Sequence, residues 1–294
     1  MKKIVRVGSR DSRLAVAQTE LALNEIREQH PEIEFEIITM KTTGDMILDR
    51  SLDAIGGKGL FVKELDRALY DGRVDITVHS LKDLPMEIAP GLPLLGFSKR
   101  EDPRDAMLVR SDLTPGFKRG IIGTSSRRRM IQLKKLYPQA EFKNIRGNVQ
   151  TRMRKLETEG YSATILALAG LRRLGLEGEA ARIFSVDELI PAAGQGILAF
   201  QGIDGGDYSF LEGSLSRESE RAAAAERAFV RTLDGGCSSP IAAYAEIRGD
   251  ELRLRGLYYD EASDTYVKGE KNGRTAEAET IGAMLAEELK KKYR

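Results

Sequence analysis

The chain has 294 residues, of which 41% are hydrophobic and 31% charged, and its 46 Lys and Arg residues nearly balance 45 Asp and Glu residues. This length predicts two or three domains with sizeable cores, and the near-neutral charge argues against a uniformly basic nucleic-acid coat protein. One cysteine and two histidines exclude an intrachain disulfide and argue against a structural zinc site. The apolar N-terminal run is interrupted by Arg6, and no apolar stretch reaches about 20 residues, so we expect a cytoplasmic protein without a membrane span.

The first part of the chain alternates strand and helix patterns. Strands are predicted over 4–8, 34–39 and 74–79, and helices over 14–29 and in the run that ends at Tyr70. Apolar runs between helical segments are typical of a parallel α/β sheet. Three prolines and the charged stretch 99–105 then indicate a crossover into a second domain.

Beyond the crossover, strand and helix patterns alternate again, and this pattern changes after residue 215. Strands over 120–123, 141–145 and 162–168 alternate with helices, and 191–196 resembles a hinge that returns the chain to the first domain. An Ala-rich helix over 216–233, alternating strands over 241–268 and a helix over 276–292 predict a small α+β domain. We therefore expect two α/β domains and one α+β domain, with the boundaries 1–98 plus 196–214, 99–195, and 215–294.

Positive charge is concentrated in one segment, where twelve basic residues between 118 and 155 are opposed only by Glu141. Thr124, Ser126 and the arginines after them follow a predicted strand, Arg146 follows the next, and Arg173 lies beyond a third. Because ligands of α/β sheets bind at the carboxyl ends of strands, these groups predict an anion site. The alternatives are a solvated basic face and a nucleic-acid surface, the latter disfavoured by few aromatic residues.

Three further motifs carry chemical groups. The strand 74–79 leads to Ser80, Lys82 and Asp83, and a carboxylate there is suited to stabilise a cation or exchange a proton, although a turn cap is the simpler interpretation. His79 is interpreted as a core histidine. Residues 8–12 repeat the strand-to-helix anion layout. Cys237 lies in the Gly- and Pro-bounded loop 234–240, which suits a reactive or modified thiol as well as an inert one.

Several motifs together resemble the porphobilinogen deaminase (hydroxymethylbilane synthase) family. They occur in family order across almost the whole chain: GGKGLF at 56–61, VHSLKDLP at 78–85, GTSS at 123–126 with Arg128 and Arg129, IRGN at 145–148, LAGLRRLG at 168–175, GQG at 194–196 and GGC at 235–237. The resemblance implies two α/β domains like the lobes of periplasmic binding proteins plus a small C-terminal α+β domain. It also implies a transferase that joins four porphobilinogen units, with loss of ammonia, into linear hydroxymethylbilane for haem synthesis.

The resemblance assigns roles to individual residues. Asp83 would be the catalytic carboxylate, and a dipyrromethane cofactor would be joined to Cys237 by a thioether. The cofactor would also be held by Ser80, Lys82, Asp83, Thr124, Ser126, Arg128 and Arg129. Substrate or the growing chain would meet Arg10, Ser12, Gln18, Arg146, Arg152, Arg173 and Gln195, and a flexible flap would carry Lys58 and Phe61.

This sequence departs from the family pattern at Arg127, at Ser238 and Ser239, and over 200–206. None of these positions belongs to the expected catalytic set. We expect a monomer that takes porphobilinogen as a small-molecule substrate and needs no metal, nucleic acid, membrane or obligate protein partner. The alternative from another class is a non-catalytic, two-lobed protein that binds a polycarboxylate or oxyanion, which would need the arginines but neither Cys237 nor Asp83.

Overall fold

The computed structural model describes residues 3–46, 59, 61–235 and 239–292. In chain order its strands and α-helices are β1 (Lys3–Arg10), α1 (Arg13–Gln29), β2 (Ile33–Met40), α2 (Thr43–Met46), α3 (Lys63–Tyr70), β3 (Ile76–Ser80), β4 (Leu94–Phe97), β5 (Asp105–Val109), β6 (Gly120–Gly123), α4 (Arg127–Leu136), β7 (Ala140–Lys143), α5 (Val149–Thr158), β8 (Ala163–Ala167), α6 (Leu168–Arg173), β9 (Arg182–Ile183), β10 (Leu198–Gly202), α7 (Arg217–Thr232), β11 (Ala242–Arg248), β12 (Glu251–Asp260), β13 (Thr265–Arg274) and α8 (Ala278–Lys291). By its internal contacts the chain divides into unit 1, Met1–Glu101 with Gly196–Glu220, and unit 2, Asp102–Gln195 with Arg221–Arg294.

Unit 1 contains a five-stranded sheet in the order β2-β1-β3-β10-β4. Strand β1 pairs in parallel with β2 and β3, and β10 pairs antiparallel with β3 and β4. Helix α1 begins where the Ser12 hydroxyl accepts a hydrogen bond from the Ala15 N–H at 3.2 Å. Its Leu23 and Ile26 side chains, one helical turn apart, are fully buried in the core formed with the strands.

Unit 2 contains two sheets. The first has the order β7-β6-β8-β5-β9, with β6 parallel to β7 and β8, and β5 antiparallel to β8 and β9. Its core includes Met107, Ile122 and Phe184, all fully buried. The second is the antiparallel sheet β11-β12-β13, against which α8 packs with Leu285 and Leu289 buried.

The predicted fold class is confirmed, since the structure has two α/β sheets and a small C-terminal sheet with helices. The expectation of parallel sheets is wrong at β10 and β5, which enter their sheets in the opposite direction. Both strands follow a crossing between the units, at 101–102 and 195–196, so neither belongs to a repeated strand–helix–strand unit. The stretch interpreted as a crossover also contains β4 and the start of β5.

The return crossing depends on a glycine. Gly196 has φ of +90°, and a Cβ atom on it would lie 2.2 Å from the backbone oxygen of Glu101. The two residues also bond directly, since the Glu101 N–H donates to the Gly196 oxygen at 3.1 Å. Any larger residue would separate these two segments, so the sequence Gly-Gln-Gly fixes how the chain re-enters unit 1. The predicted three-domain boundaries stay a prediction.

Candidate active site

A cavity in unit 1 collects polar groups from the carboxyl ends of two parallel strands. It is lined by Arg10 at the end of β1, Ser80 at the end of β3 and Asp83 in the short 3₁₀ turn that follows β3. Gln18 of α1 and the ring of Phe61 complete its polar and aromatic sides. Of the unit 1 residues predicted for the site, these five come together; Lys82 and Ser12 are not among the described residues that line the cavity.

Arg10 is held from two sides. Its Nε donates to Asp45 Oδ2 at 3.3 Å and its Nη2 donates to Asp45 Oδ1, while the guanidinium carbon lies 4.3 Å from the centre of the Phe61 ring. Asp45 is anchored in turn by the Thr42 hydroxyl at 2.6 Å. Burial opposes ionisation of Asp45, but the hydrogen bonds from Arg10 and Thr42 outweigh it and hold its pKa below the usual range. The guanidinium group of Arg10 therefore binds an internal carboxylate, that of Asp45, at two points.

The other polar groups of the cavity are ordered by hydrogen bonds. The Ser80 hydroxyl donates to Gln18 Oε1 at 3.1 Å, and Gln18 is buried. His79 is buried, its Nε2 lies 2.8 Å from Thr77 Oγ1, and burial lowers its pKa to about 4. The imidazole is therefore neutral at neutral pH. His79 is buried, as expected for a core histidine, but it also lines the cavity. Ser12 uses its hydroxyl oxygen to cap α1.

In unit 2 a buried aspartate joins two predicted anion-binding arginines. Asp105 Oδ2 accepts from Arg128 Nη1 at 2.8 Å, and Asp105 Oδ1 accepts from Arg129 Nε and Nη2 at 3.1 and 2.7 Å. Gln195 Nε2 donates to the same Oδ1 at 3.0 Å. Asp105 and Gln195 are 0% exposed, Arg128 is 4% and Arg129 8% exposed. We call these four residues the Asp105 cluster.

The arginines of the Asp105 cluster also bind backbone carbonyls. Arg128 Nη1 donates to the Ile190 oxygen at 2.7 Å, and Arg129 Nη1 donates to the Ile165 oxygen at 3.0 Å. Burial disfavours the charged form of Asp105, but the charges of Arg128 and Arg129 and their hydrogen bonds outweigh it and hold its pKa far below the usual range. The aspartate is therefore ionised, and the two guanidinium groups leave the cluster with one surplus positive charge.

Helix α4 begins at this cluster with two capping hydroxyls. Ser126 Oγ accepts from the Arg129 N–H at 3.4 Å, and Thr124 Oγ1 accepts from the Ser126 N–H at 3.2 Å. A hydroxyl that accepts in a cap keeps its own O–H as a donor. The hydroxyl oxygens of Thr124 and Ser126 therefore accept from backbone N–H groups at the start of the helix. Their own O–H groups can still donate to an anion.

The remaining predicted arginines are half-buried at two other strand ends of the same sheet. Gly147 follows Arg146 with φ of +117°, Asn148 caps α5, and Arg152 Nε donates to the Gly147 oxygen at 2.9 Å. Burial lowers the pKa of the Arg146 guanidinium from its ordinary value. Arg173 is the last residue of α6, after β8.

Two site residues lie outside the described residues, namely Lys58 of the expected flap and Cys237, the expected cofactor attachment point. Conversely, sequence reasoning missed Asp45 and Asp105, the carboxylates that bind the predicted arginines. A usable signal existed for Asp105, because it opens the apolar run DAMLV and an aspartate at the start of a buried strand needs a cationic partner.

Among the described residues, no group of three or more His, Cys, Asp or Glu side chains is arranged to hold a metal ion. None of the helices in the described part of the chain combines the length and apolar character needed to cross a bilayer.

Comparison with known proteins identifies the family. The family model described as "Porphobilinogen deaminase, dipyromethane cofactor binding domain" matches residues 5–208, and "Porphobilinogen deaminase, C-terminal domain" matches residues 221–291. The porphobilinogen deaminases of Ruminiclostridium josui and Alkaliphilus oremlandii are 53% and 52% identical over 290 and 287 residues. These matches cover 99% and 97% of this chain, and 98% and 96% of the two relatives.

Solved structures give a weaker likeness. The methionine-binding protein MetQ matches with a TM-score of 0.44 at 12% identity, over 75% of this chain and 93% of that one. The aliphatic sulphonate binding protein SsuA from Escherichia coli gives 0.42 at 10% identity, over 80% and 71%. The family models and the sequence relatives, however, extend over nearly the full chain and do not favour a non-catalytic binding protein. On this sequence evidence, the chain belongs to the porphobilinogen deaminase family.

Proposed function

We propose that this protein is a transferase that joins porphobilinogen units, with release of ammonia, into linear hydroxymethylbilane for tetrapyrrole synthesis. The observation that carries the proposal is the unit 1 cavity, which both Asp83 and Arg10 line. Porphobilinogen has a carboxylate at each of two side chains and an aminomethyl group that leaves as ammonia. A cavity with one cationic fork and one carboxylate matches both parts of such a substrate.

Arg10 is proposed to bind a carboxylate of the substrate, helped by Ser12, Gln18 and Ser80. The Arg10–Asp45 pair is about a quarter exposed, so a substrate carboxylate can reach the same fork. A growing chain adds two carboxylates with each pyrrole unit and needs further cations. We assign this binding to the cations Arg146, Arg152 and Arg173, with the neutral amide of Gln195 as a further hydrogen-bonding group. Phe61 stacks on Arg10, and with Lys58 it would form the flap at the cavity.

Asp83 is proposed to act on the charge that develops during the reaction. Loss of ammonia from porphobilinogen leaves a cationic methylene-pyrrole, and a fixed carboxylate beside it is worth most near the transition state. The same carboxylate is placed in a 3₁₀ turn directly after a buried strand, which restricts its position. Asp83 can also take up the proton released when the new carbon–carbon bond forms.

The dipyrromethane cofactor named for the matching domain fits the residues of unit 2. The surplus positive charge of the Asp105 cluster and the donor hydroxyls of Thr124 and Ser126 suit a group that bears carboxylates. We propose that Thr124, Ser126, Arg128 and Arg129 hold it, together with Ser80, Lys82 and Asp83, and that Cys237 provides the thioether. When bound, the cofactor supplies the pyrrole carbon that starts the chain.

The remaining expectations belong to the same proposal. We propose three domains with the predicted boundaries, and a monomer that works in the cytoplasm. Porphobilinogen is its substrate, and nucleic acid, membrane and an obligate protein partner are not required. The near-neutral overall charge argues against a nucleic-acid partner, and the matching family model supports porphobilinogen as the substrate.

Replacement of Asp83 tests the catalytic assignment. Asp83→Asn keeps the size of the side chain and removes its charge, so we expect a loss of kcat of about a hundredfold or more with little change in substrate capture. Single-turnover kinetics on cofactor-loaded protein separates the two steps. Asp71→Asn is the matched control, because Asp71 is an exposed aspartate of unit 1 that pairs with Arg67 and Arg73 away from the cavity. If Asp83→Asn weakened capture alone, Asp83 would be a binding group.

A further inference from the structure

The Asp105 cluster distributes the donors of its two arginines unequally. Among the described residues, every hydrogen bond of the Arg128 guanidinium uses Nη1, which donates to Asp105 and to the Ile190 oxygen. Its Nε and Nη2 therefore keep two parallel N–H groups on one edge, the arrangement that binds a carboxylate at two points. Arg129 uses Nε, Nη1 and Nη2 toward Asp105 and the Ile165 oxygen. Arg128 therefore keeps a complete two-point edge for a ligand, whereas Arg129 keeps one N–H on Nη1 and one on Nη2.

Asp105 is itself fixed by the surrounding structure. It is the first residue of β5, where it pairs with Ala167 of β8, and its backbone oxygen accepts from the Phe184 N–H at 3.0 Å. Gln195 connects its Oδ1 to the Pro103 oxygen, which Gln195 Nε2 contacts at 2.6 Å. The residue that bears this carboxylate therefore belongs to a paired strand of the sheet rather than to a loop.

We propose that Asp105 is a positioning residue for cofactor assembly, which orients Arg128 through Oδ2 and Arg129 through Oδ1 before the ligand carboxylates arrive. This inference rests on the proposed function. Two guanidinium groups buried side by side repel each other, and Asp105 offsets one of the two charges while the other stays available to a ligand. Asp105 acts through the arginines and does not touch the reacting atoms.

The proposal predicts a defect in loading that a loss of stability alone would not produce. Misdirected arginines bind carboxylates more weakly, so Asp105→Asn raises the porphobilinogen concentration needed for half-maximal cofactor formation by about tenfold or more. A variant that is only less stable has a smaller fraction of competent molecules, but those molecules load at the ordinary concentration. The half-saturating concentration therefore distinguishes positioning from stability.

The experiment uses the full chain made by cell-free synthesis without porphobilinogen, which is then added at a series of concentrations. Intact mass spectrometry measures the fraction of molecules that carry the cofactor, and circular dichroism measures folding. Glu226→Gln is the matched control: Glu226 is also a fully buried carboxylate of unit 2, but it accepts from the Gly194 and Ala245 N–H groups, each at 2.7 Å. We expect this control to melt at a lower temperature and to load within twofold of the unmodified chain.

The outcomes distinguish a failure of the proposed function from a failure of the role proposed for Asp105. If the unmodified chain gains no mass with porphobilinogen, the proposed function fails. If it gains mass, and Asp105→Asn does so at the same half-saturating concentration, only the role of Asp105 is overturned. Should Asp105→Asn not fold, Asp105→Glu keeps the charge and displaces the carboxylate by one methylene. A several-fold higher half-saturating concentration for that variant supports the proposal, and an unchanged one refutes it.

Discussion

Two regions of the molecule use the same pairing of aspartate with arginine in different surroundings. In unit 1, Asp45 and Arg10 are each about a quarter exposed and Arg10 lines a cavity. In unit 2, Asp105 is completely buried with Arg128 and Arg129. A pair in contact with water loses little when a substrate carboxylate replaces the internal one, whereas breaking a buried pair leaves an uncompensated charge. We therefore propose that exposure separates Arg10, which can exchange its carboxylate partner, from Arg128 and Arg129, which stay bound to Asp105.

The largest effect should come from breaking the buried pair. Asp105→Ala leaves two buried guanidinium groups without their carboxylate, and we expect a loss of about 3–5 kcal/mol in the free energy of unfolding. Asp45→Ala in the partly exposed pair should cost no more than ~1 kcal/mol. Urea unfolding of both variants measures the two losses side by side. Equal losses would show that exposure does not separate the two regions.

A third carboxylate sharpens the comparison because it is half-buried and one of its oxygens has no hydrogen-bond partner among the described residues. Asp66 in α3 has a buried Oδ1 that bonds no other group among the described residues, and burial raises its pKa to about 6. The folded state binds the proton more tightly than the unfolded state, so the stability from Asp66 is complete below its ordinary pKa of 3.8 and is lost as pH rises to about 6.

Asp66→Asn should remove this dependence. Above pH 6 the variant should unfold on the order of 3 °C higher than the unmodified chain, and the difference should vanish near pH 4. Thermal unfolding at a series of pH values measures it, and the difference between the two proteins cancels the opposite slope from His79. A difference that is the same at all pH values would contradict the account of Asp66.

The partly exposed Arg10–Asp45 pair should show its effect in substrate binding. Asp45→Asn removes the charge that competes for Arg10, so the half-saturating porphobilinogen concentration should fall by about threefold, or ~0.7 kcal/mol. Asp75→Asn is the matched control, because Asp75 makes a two-point pair with Arg6 in unit 1 and does not line the cavity. A rise in the half-saturating concentration for Asp45→Asn would mean that Asp45 positions Arg10 rather than competing for it.

The smallest effect is expected at Arg127, the surface neighbour of the buried arginines. Arg127 binds Glu261 at 2.7 Å, and both side chains are exposed by more than a third. Arg127→Leu should therefore change the free energy of unfolding by less than ~1 kcal/mol and leave cofactor loading unchanged. Chemical unfolding and intact mass measure the two quantities, and a loading defect would bring Arg127 into the cofactor site.

Local signals in the sequence predicted the parts of the site that depend on neighbours along the chain. The strand at 120–123, the Thr-Ser-Ser cap and the arginine after it all lie within one strand–helix connection, and each was predicted correctly in place. The partners of those arginines were not predicted. Asp105 precedes Arg128 by 23 residues and Asp45 follows Arg10 by 35, and hydrophobic periodicity carries no information about such distant ion pairs.

The same reason explains the strands that were missed. Strand β10 pairs with β3 more than a hundred residues earlier, and its direction depends on the return of the chain at Gly196. Strand β4 is only four residues long and lies among prolines, so its apolar residues resemble a connection. The resemblance to the family predicted roles for the site residues, whereas the structure added Asp45 and Asp105, the carboxylates that bind Arg10, Arg128 and Arg129.

The most direct test of the account is the intact mass of the purified protein before and after a limited amount of porphobilinogen is added. We predict that the protein carries a covalent dipyrromethane, that porphobilinogen adds further units one at a time, and that Cys237→Ser abolishes the initial increment and the additions while leaving the helical content unchanged. A protein with the mass of the bare chain that binds porphobilinogen only reversibly, or a Cys237→Ser variant with normal turnover, would contradict the account.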